Sequence, residues 1–194
     1  MKEIARIRKE EAALVVVDFQ TKMMPWIDGE EQVVAESAKL IRGCRVLGLP
    51  VLATQQYTRG LGETVAPVLE ALTEELGEWS PATEFSHVEK TSFSVMGEPE
   101  FARRLKETGK TDVILCGVEG HVCVRQSALD MLAAGYKVFL ARDCVSSRKK
   151  RDLEPAMREL ELAGATLITS EAALFEMLGG AGAPGFKQIS KLVK

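Results

Sequence analysis

Three observations predict a single-domain α/β fold, a three-layer αβα sandwich around a mostly parallel, doubly wound sheet. Short apolar runs rich in β-branched residues recur along the chain, and each is followed by a stretch with apolar residues at helical spacing. The runs lack the polar alternation of a half-exposed strand, as expected where both faces are buried. The 194 residues carry no internal repeat and no break in composition, and a chain of this length buries a core without staples.

Leu14–Val17 is the first strand; it ends in Asp18, with Phe19 and Gln20 next. A charged residue at the carboxyl end of a buried strand is where open α/β sheets place ligand chemistry, although an aspartate also serves there as a cap. Residues 21–28 form a loop with Met23, Met24 and Trp26 as exposed apolar candidates. Helical spacing runs from Glu30 to Leu47 and Gly48 stops it. Pro50–Thr54 is the second strand, followed by the polar, glycine-rich Gln55–Thr64 and a helix over Val65–Leu76. Residues 77–92 are irregular and carry Trp79, Phe85, His87 and Lys90, with a sixth strand candidate at Ser86–Lys90. Long irregular segments in compact domains are more often functional than idle. A helix over Glu98–Thr108 ends at Gly109.

Thr111–Cys116 is the central strand; Gly117 and Gly120 punctuate it, and helical spacing begins at His121 through Val124, Ala128, Met131 and Leu132. Cys123 then falls in a helix's first turn. Unsatisfied N–H groups and the helix dipole there favour a thiolate and suit an oxyanion formed by its attack on a carbonyl. A small core cysteine behind a βα turn is the plain alternative. The next strand is Lys137–Ala141, leading to Asp143, Cys144 and the polar run to Asp152. Pro155 fits the first turn of a helix reaching Ala163; Ala165–Thr169 is the last strand and Glu171–Leu178 a short helix. Residues 1–180 make the domain, and 181–194 a flexible tail whose weakly amphipathic end suits docking on this or a neighbouring subunit.

A parallel sheet puts all carboxyl strand ends on one edge. Asp18, the Gln55–Gly60 loop, the Gly117–Cys123 turn and the Asp143–Ser146 turn are therefore expected around one crevice, with Phe19, Gln20, Gln55, Tyr57 and Gly120 as pocket residues. A thiol, a carboxylate and an ammonium meet there: Asp18 is placed to take the thiol proton and Lys90 to hold both groups. Together with the helix terminus, Lys90 is expected to depress the Cys123 pKa below the free value of about 8.5, with Asp18 opposing. His121 lies two residues from Cys123 and points to another face; His87 is the weaker alternative base. Cys144, on a neighbouring strand, is either a redox partner for Cys123 or a packed thiol. Arg148–Arg151 is a solvated run or, less simply, a holder of a substrate carboxylate.

Composition excludes several classes. A formal net charge of −3, with no stripe of Lys and Arg, argues against nucleic acid. No run is long enough to span a membrane, and the N-terminus has no apolar secretory segment. The four cysteines lack metal or redox spacing, so reduced thiols and a cytoplasmic setting are expected. No metal or other cofactor is expected, and no GxSxG, Walker or GxGxxG motif is present.

The motifs Asp18-Phe19-Gln20, EKTSFS at 89–94, GVEGHVC at 117–123 followed by ALDML, and DCVSSR at 143–148 occur in this order. In combination the chain resembles the isochorismatase-like superfamily of cysteine hydrolases, which includes nicotinamidases, carbamoyl-sarcosine amidases and isochorismatases. It looks most like the uncharacterised isochorismatase-domain hydrolases. The resemblance implies a Rossmann-like αβα fold and a catalytic triad of Asp18, Lys90 and Cys123. It also implies a non-proline cis peptide between Val118 and Glu119, with the N–H groups of Glu119 and Cys123 turned toward an oxyanion. Nicotinamidases carry an Asp-x-His metal site where this chain has Thr54-Gln55-Gln56-Tyr57, and isochorismatases lack the cysteine. The expected protein is a metal-independent, homo-oligomeric cysteine hydrolase of a small amide or related C–N bond, working through an acyl-enzyme. A scaffold with a vestigial site and a thiol redox protein are the alternatives.

Overall fold

The computed structural model describes residues 5–194. Its six strands are β1 (Ala12–Val17), β2 (Val51–Gln56), β3 (His87–Lys90), β4 (Asp112–Gly117), β5 (Lys137–Val145) and β6 (Thr166–Ile168). They form one sheet in the order β3-β2-β1-β4-β5-β6, parallel at every junction. The helices are α1 (Glu30–Val46), the short α2 (Thr58–Leu61), α3 (Ala66–Thr73), α4 (Pro99–Glu107), α5 (Arg125–Ala133), α6 (Lys150–Ala163), α7 (Ser170–Leu178) and α8 (Phe186–Leu192). The sixth strand candidate is thus real, at the sheet edge.

Every residue of β1 and β4 is buried, because helices cover both faces. Side chains along a strand alternate between faces. Leu14, Val16, Ile114, Cys116 and Phe139 therefore join α1, α3, α7 and α8 in one core. Ala13, Val15, Val17, Val113, Leu115 and Leu140 join α4, α5 and α6 in the other. From β1 the chain winds outward through β2 and β3; from β4 it winds the opposite way through β5 and β6. The β1/β4 junction is the switch point, and a crevice opens outside the carboxyl ends of strands at such a point. Gly117 brings the two ends together: its φ is 142°, and a Cβ there would sit 2.4 Å from the Val17 carbonyl oxygen.

Several local expectations change. The turn after β4 is a π-helical turn, Gly120–Val124, before α5 begins. Pro155 lies inside α6 rather than in its first turn; the hydrogen bond it forfeits would run to Arg151 within the exposed N-terminal turn. Residues 186–192 of the expected tail form α8, which packs on α1 and α7 with Ile189 fully buried. Met24 is fully buried and Met23 packs against the core, so Trp26 alone of that loop's apolar trio is well exposed, at 73 %.

Candidate active site

Asp18 follows β1 and turns out of the sheet with a left-handed φ of 57°, an unusual backbone for a residue other than glycine. Its side chain is completely buried. One carboxylate oxygen accepts from Thr54 Oγ1 at 2.7 Å and the other from Lys90 Nζ at 2.6 Å. Lys90 ends β3, whose alternation buries Val88 and Lys90 and exposes Glu89. The buried Lys90 ammonium also donates to Gln56 Oε1 at 2.7 Å, to the Phe93 carbonyl at 3.1 Å and to the Ser92 carbonyl at 3.3 Å. A buried ion pair persists only when its desolvation is offset by such additional bonds.

Cys123 sits in the π-helical turn beyond β4, 5 % exposed, with its sulfur interacting with both Asp18 and Lys90. Burial, reinforced by the Asp18 carboxylate and only partly countered by Lys90, pushes its thiol up to about 12. The expected depression is therefore reversed: low dielectric and a neighbouring anion both disfavour a second anion, and the resting sulfur is a thiol. The turn itself is firmly held. Gly120 N–H donates to the Ser146 carbonyl at 2.8 Å, and the N–H groups of Val122 and Val124 to the Glu119 carbonyl at 3.1 and 3.2 Å. Ser127, on α5, donates to the Cys123 carbonyl at 2.6 Å and accepts from Val95 N–H at 2.9 Å, tying the turn to the segment after β3. The peptide between Val118 and Glu119 is cis.

Above the sulfur lies a cavity of about 380 Å³ lined by Met23, Trp26, Leu61, Phe93 and Val122 together with Lys22, Gln56, Glu119, Cys123 and Arg148. The Glu119 carboxylate accepts from Arg148 Nε at 2.9 Å. Of the expected pocket residues, Phe19, Gln20 and Gln55 are buried away from this cavity. Gln20 clamps the chain instead, donating to the Gln56 and Gly62 carbonyls and accepting from Gln56 N–H. Gln55 bonds Glu63, Thr64 and Thr58. Tyr57 is half exposed with a φ of 38°, outside the cavity lining. Gly120 faces Leu153, 2.4 Å from where its Cβ would be.

His121 Nδ1 lies 3.0 Å from Ser147 Oγ and 4.0 Å from Glu119, and His87 stacks on Phe85 at the start of β3. Cys144 belongs to the core on the sheet face opposite that of Cys123, so the two thiols do not meet across the crevice. Among the described residues, no group of three or more His, Cys, Asp or Glu side chains could hold a metal ion, and no helix is long and apolar enough to cross a membrane. Sequence reasoning did not single out Thr54, Gln56 or Ser127 as functional. The polar residues at the ends of β2 and the serine one turn after Cys123 were the only signals available.

These features define a doubly wound α/β protein with a thiol, a carboxylate and an ammonium gathered at the sheet's switch point. Residues 12–172 match the isochorismatase domain model, and the chain belongs to the isochorismatase-like hydrolase family. It is 37 % identical over 194 residues to isochorismatase domain-containing protein 2 of Danio rerio, covering all of this chain and 92 % of that protein. The structure described as MAR1 ribonuclease from Caenorhabditis elegans superposes with a TM-score of 0.86 at 39 % identity, covering 97 % of this chain and 92 % of that one. The Escherichia coli YcaC product, described as an octameric hydrolase of unknown specificity, shares the fold. Its TM-score is 0.86 at 21 % identity, with 99 % of this chain and 92 % of that chain covered.

Proposed function

We propose that the protein is a cysteine hydrolase that cleaves a small amide or related C–N bond without a metal, with Cys123, Asp18 and Lys90 as its triad. The observation that carries this reading is the fully buried Asp18–Lys90 pair beside the Cys123 thiol at the floor of a crevice. Asp18 takes the proton from Sγ as the sulfur attacks the carbonyl carbon, so no free thiolate accumulates. The carbonyl electrons move to oxygen, and the oxyanion is received by the N–H groups of Glu119 and Cys123. When the tetrahedral centre collapses, the C–N bond breaks and Asp18 gives its proton to the departing nitrogen. A water molecule then loses a proton to Asp18 and attacks the thioester; the acid leaves and the proton returns to sulfur. Lys90 keeps Asp18 oriented throughout and offsets negative charge as the proton moves.

A vestigial site has no need of a lysine buried on four acceptors. The redox alternative loses its partner thiol, because Cys144 faces the other core. Screening carboxamides, ureides and carbamoyl compounds tests the reading: one class should be turned over by the wild type, and a folded Cys123→Ala variant should be inactive. Full activity in that variant overturns it. An RNA assay run in parallel separates amide hydrolysis from the activity in the name of the C. elegans relative. We also propose a dimer or larger assembly, supported by exposed Leu162 and Phe175 and tested by light scattering. A reducing, cytoplasmic setting is supported by four free thiols.

A further inference from the structure

We infer that Trp26 and Phe93 are specificity-determining residues, which select amides bearing an apolar substituent over small or charged ones; this rests on the hydrolase reading above. Large apolar side chains exposed together mark binding surfaces. Trp26 is 73 % and Phe93 53 % exposed, and both line the cavity that has Cys123 at its floor. Met23, Leu61 and Val122 continue the same apolar wall.

Neither ring is on slack chain. Trp26 closes a helical turn whose neighbours Met24 and Ile27 are buried, and its N–H donates to the Met23 carbonyl at 3.0 Å. Phe93 is held through its own carbonyl, which accepts from Lys90 Nζ at 3.1 Å. The segment that displays Phe93 is thus pinned to the triad itself.

Of the cavity's polar side chains, Gln56, Glu119 and Arg148 are already bonded to protein partners, and Lys22 is exposed to solvent. Gln56 accepts from Lys90 and donates to the Thr91 carbonyl at 2.9 Å. Glu119 is taken by Arg148. A substrate therefore finds its polar partners at the floor, where its C–N bond reacts, and apolar surface above. Its substituent is held by burial against Trp26, Phe93, Met23, Leu61 and Val122, and each methylene buried in such a pocket is worth about tenfold or more in kcat/KM.

The test compares acetamide, 3-methylbutanamide, benzamide and succinamate with wild type, Trp26→Ala, Trp26→Phe and Phe93→Ala. In the wild type, kcat/KM should rise at least tenfold from acetamide to the two apolar amides, with succinamate no better than acetamide. Either alanine variant should narrow that ratio about tenfold through loss on the apolar amides, while Trp26→Phe keeps most of it. A second arm needs no chemistry. Trp26 and Trp79 are the only tryptophans, so in a Cys123→Ala/Trp79→Phe background the Trp26 fluorescence reports binding directly. Benzamide should bind more tightly than acetamide there. Tighter benzamide binding in a wild type that turns over no carboxamide, ureide or carbamoyl compound would sink the hydrolase reading and leave the apolar selection standing. Equal binding of both amides, or a preference untouched by the alanine variants, overturns the inference. So does a Trp26→Ala variant that changes only the oligomeric mass, which would assign the ring to a second copy of the chain.

Discussion

Replacing Asp18 by Asn should make Cys123 more reactive while abolishing turnover. The wild-type thiol is pushed up to about 12 by burial and by Asp18, so at pH 8 only about one sulfur in ten thousand is ionised. For charges in contact at an effective dielectric constant of about 20, repulsion between carboxylate and thiolate is about 4 kcal/mol, a factor of about a thousand in ionisation. A less basic thiolate is a weaker nucleophile, with a Brønsted slope of about 0.45, which takes back a factor of about 20. The net expectation is alkylation by iodoacetamide roughly 50-fold faster at pH 8. Lys90→Met should move the rate the other way, since Lys90 is the group that favours the thiolate. Timed quenching with peptide mapping assigns the label to Cys123 among the four thiols. An Asp18→Asn rate equal to or below the wild type would refute the electrostatic account of the site.

Three further outcomes follow from the packing. Lys90→Met leaves the fully buried Asp18 carboxylate without its ion partner, and urea denaturation should show a loss of about 3–5 kcal/mol. Gly117→Ala forces a Cβ to within 2.4 Å of the Val17 carbonyl oxygen at a φ of 142°; a loss of about 3 kcal/mol or failure to fold is expected, and wild-type stability would contradict the close approach of β1 and β4. Stability should also fall in alkali. A free thiol ionises at about 8.5, and burial followed by Asp18 pushes that of Cys123 up to about 12 in the folded chain. The stabilisation from its protonated form is therefore complete below about pH 8.5 and is lost as pH rises, at about 1.4 kcal/mol per pH unit. Cys44, Cys116 and Cys144 are pushed up by burial in the same direction. Urea midpoints should stay level to pH 8.5 and then drop, less steeply in Cys123→Ala.

The layer architecture was legible because it rests on periodicity alone: runs such as Leu14–Val17 and Thr111–Cys116 have one stable place, between two helical layers. The positions of Asp18 and Cys123 followed from topology, since both come just after adjacent central strands. What stayed hidden depends on parity. Gln55 and Gln56 are indistinguishable in composition, yet successive residues of a strand face opposite ways. In β2 it is Gln56 that meets Lys90, while Gln55 turns to Thr64. Cys144 was hidden by a break in that parity: β5 shifts register against β4 between Leu140 and Val145, so Cys144 shares the core of Phe139 and Ala141, opposite Cys123. The direction of the Cys123 shift was hidden for another reason: it is set by burial, which exists only once α5, α6 and the segment after β3 have packed. The neighbouring charges alone pull in opposite directions.

Covalent trapping on Cys123 tests the central claim most directly. Wild-type protein mixed with a turned-over amide should be quenched in acid within milliseconds to seconds, and its intact mass measured. The account predicts a mass increase equal to the acyl group, mapped to the Cys123 peptide, reversed by hydroxylamine, and absent in Cys123→Ala. Steady turnover with no acyl adduct in the wild type, and undiminished turnover in Cys123→Ala, would contradict it.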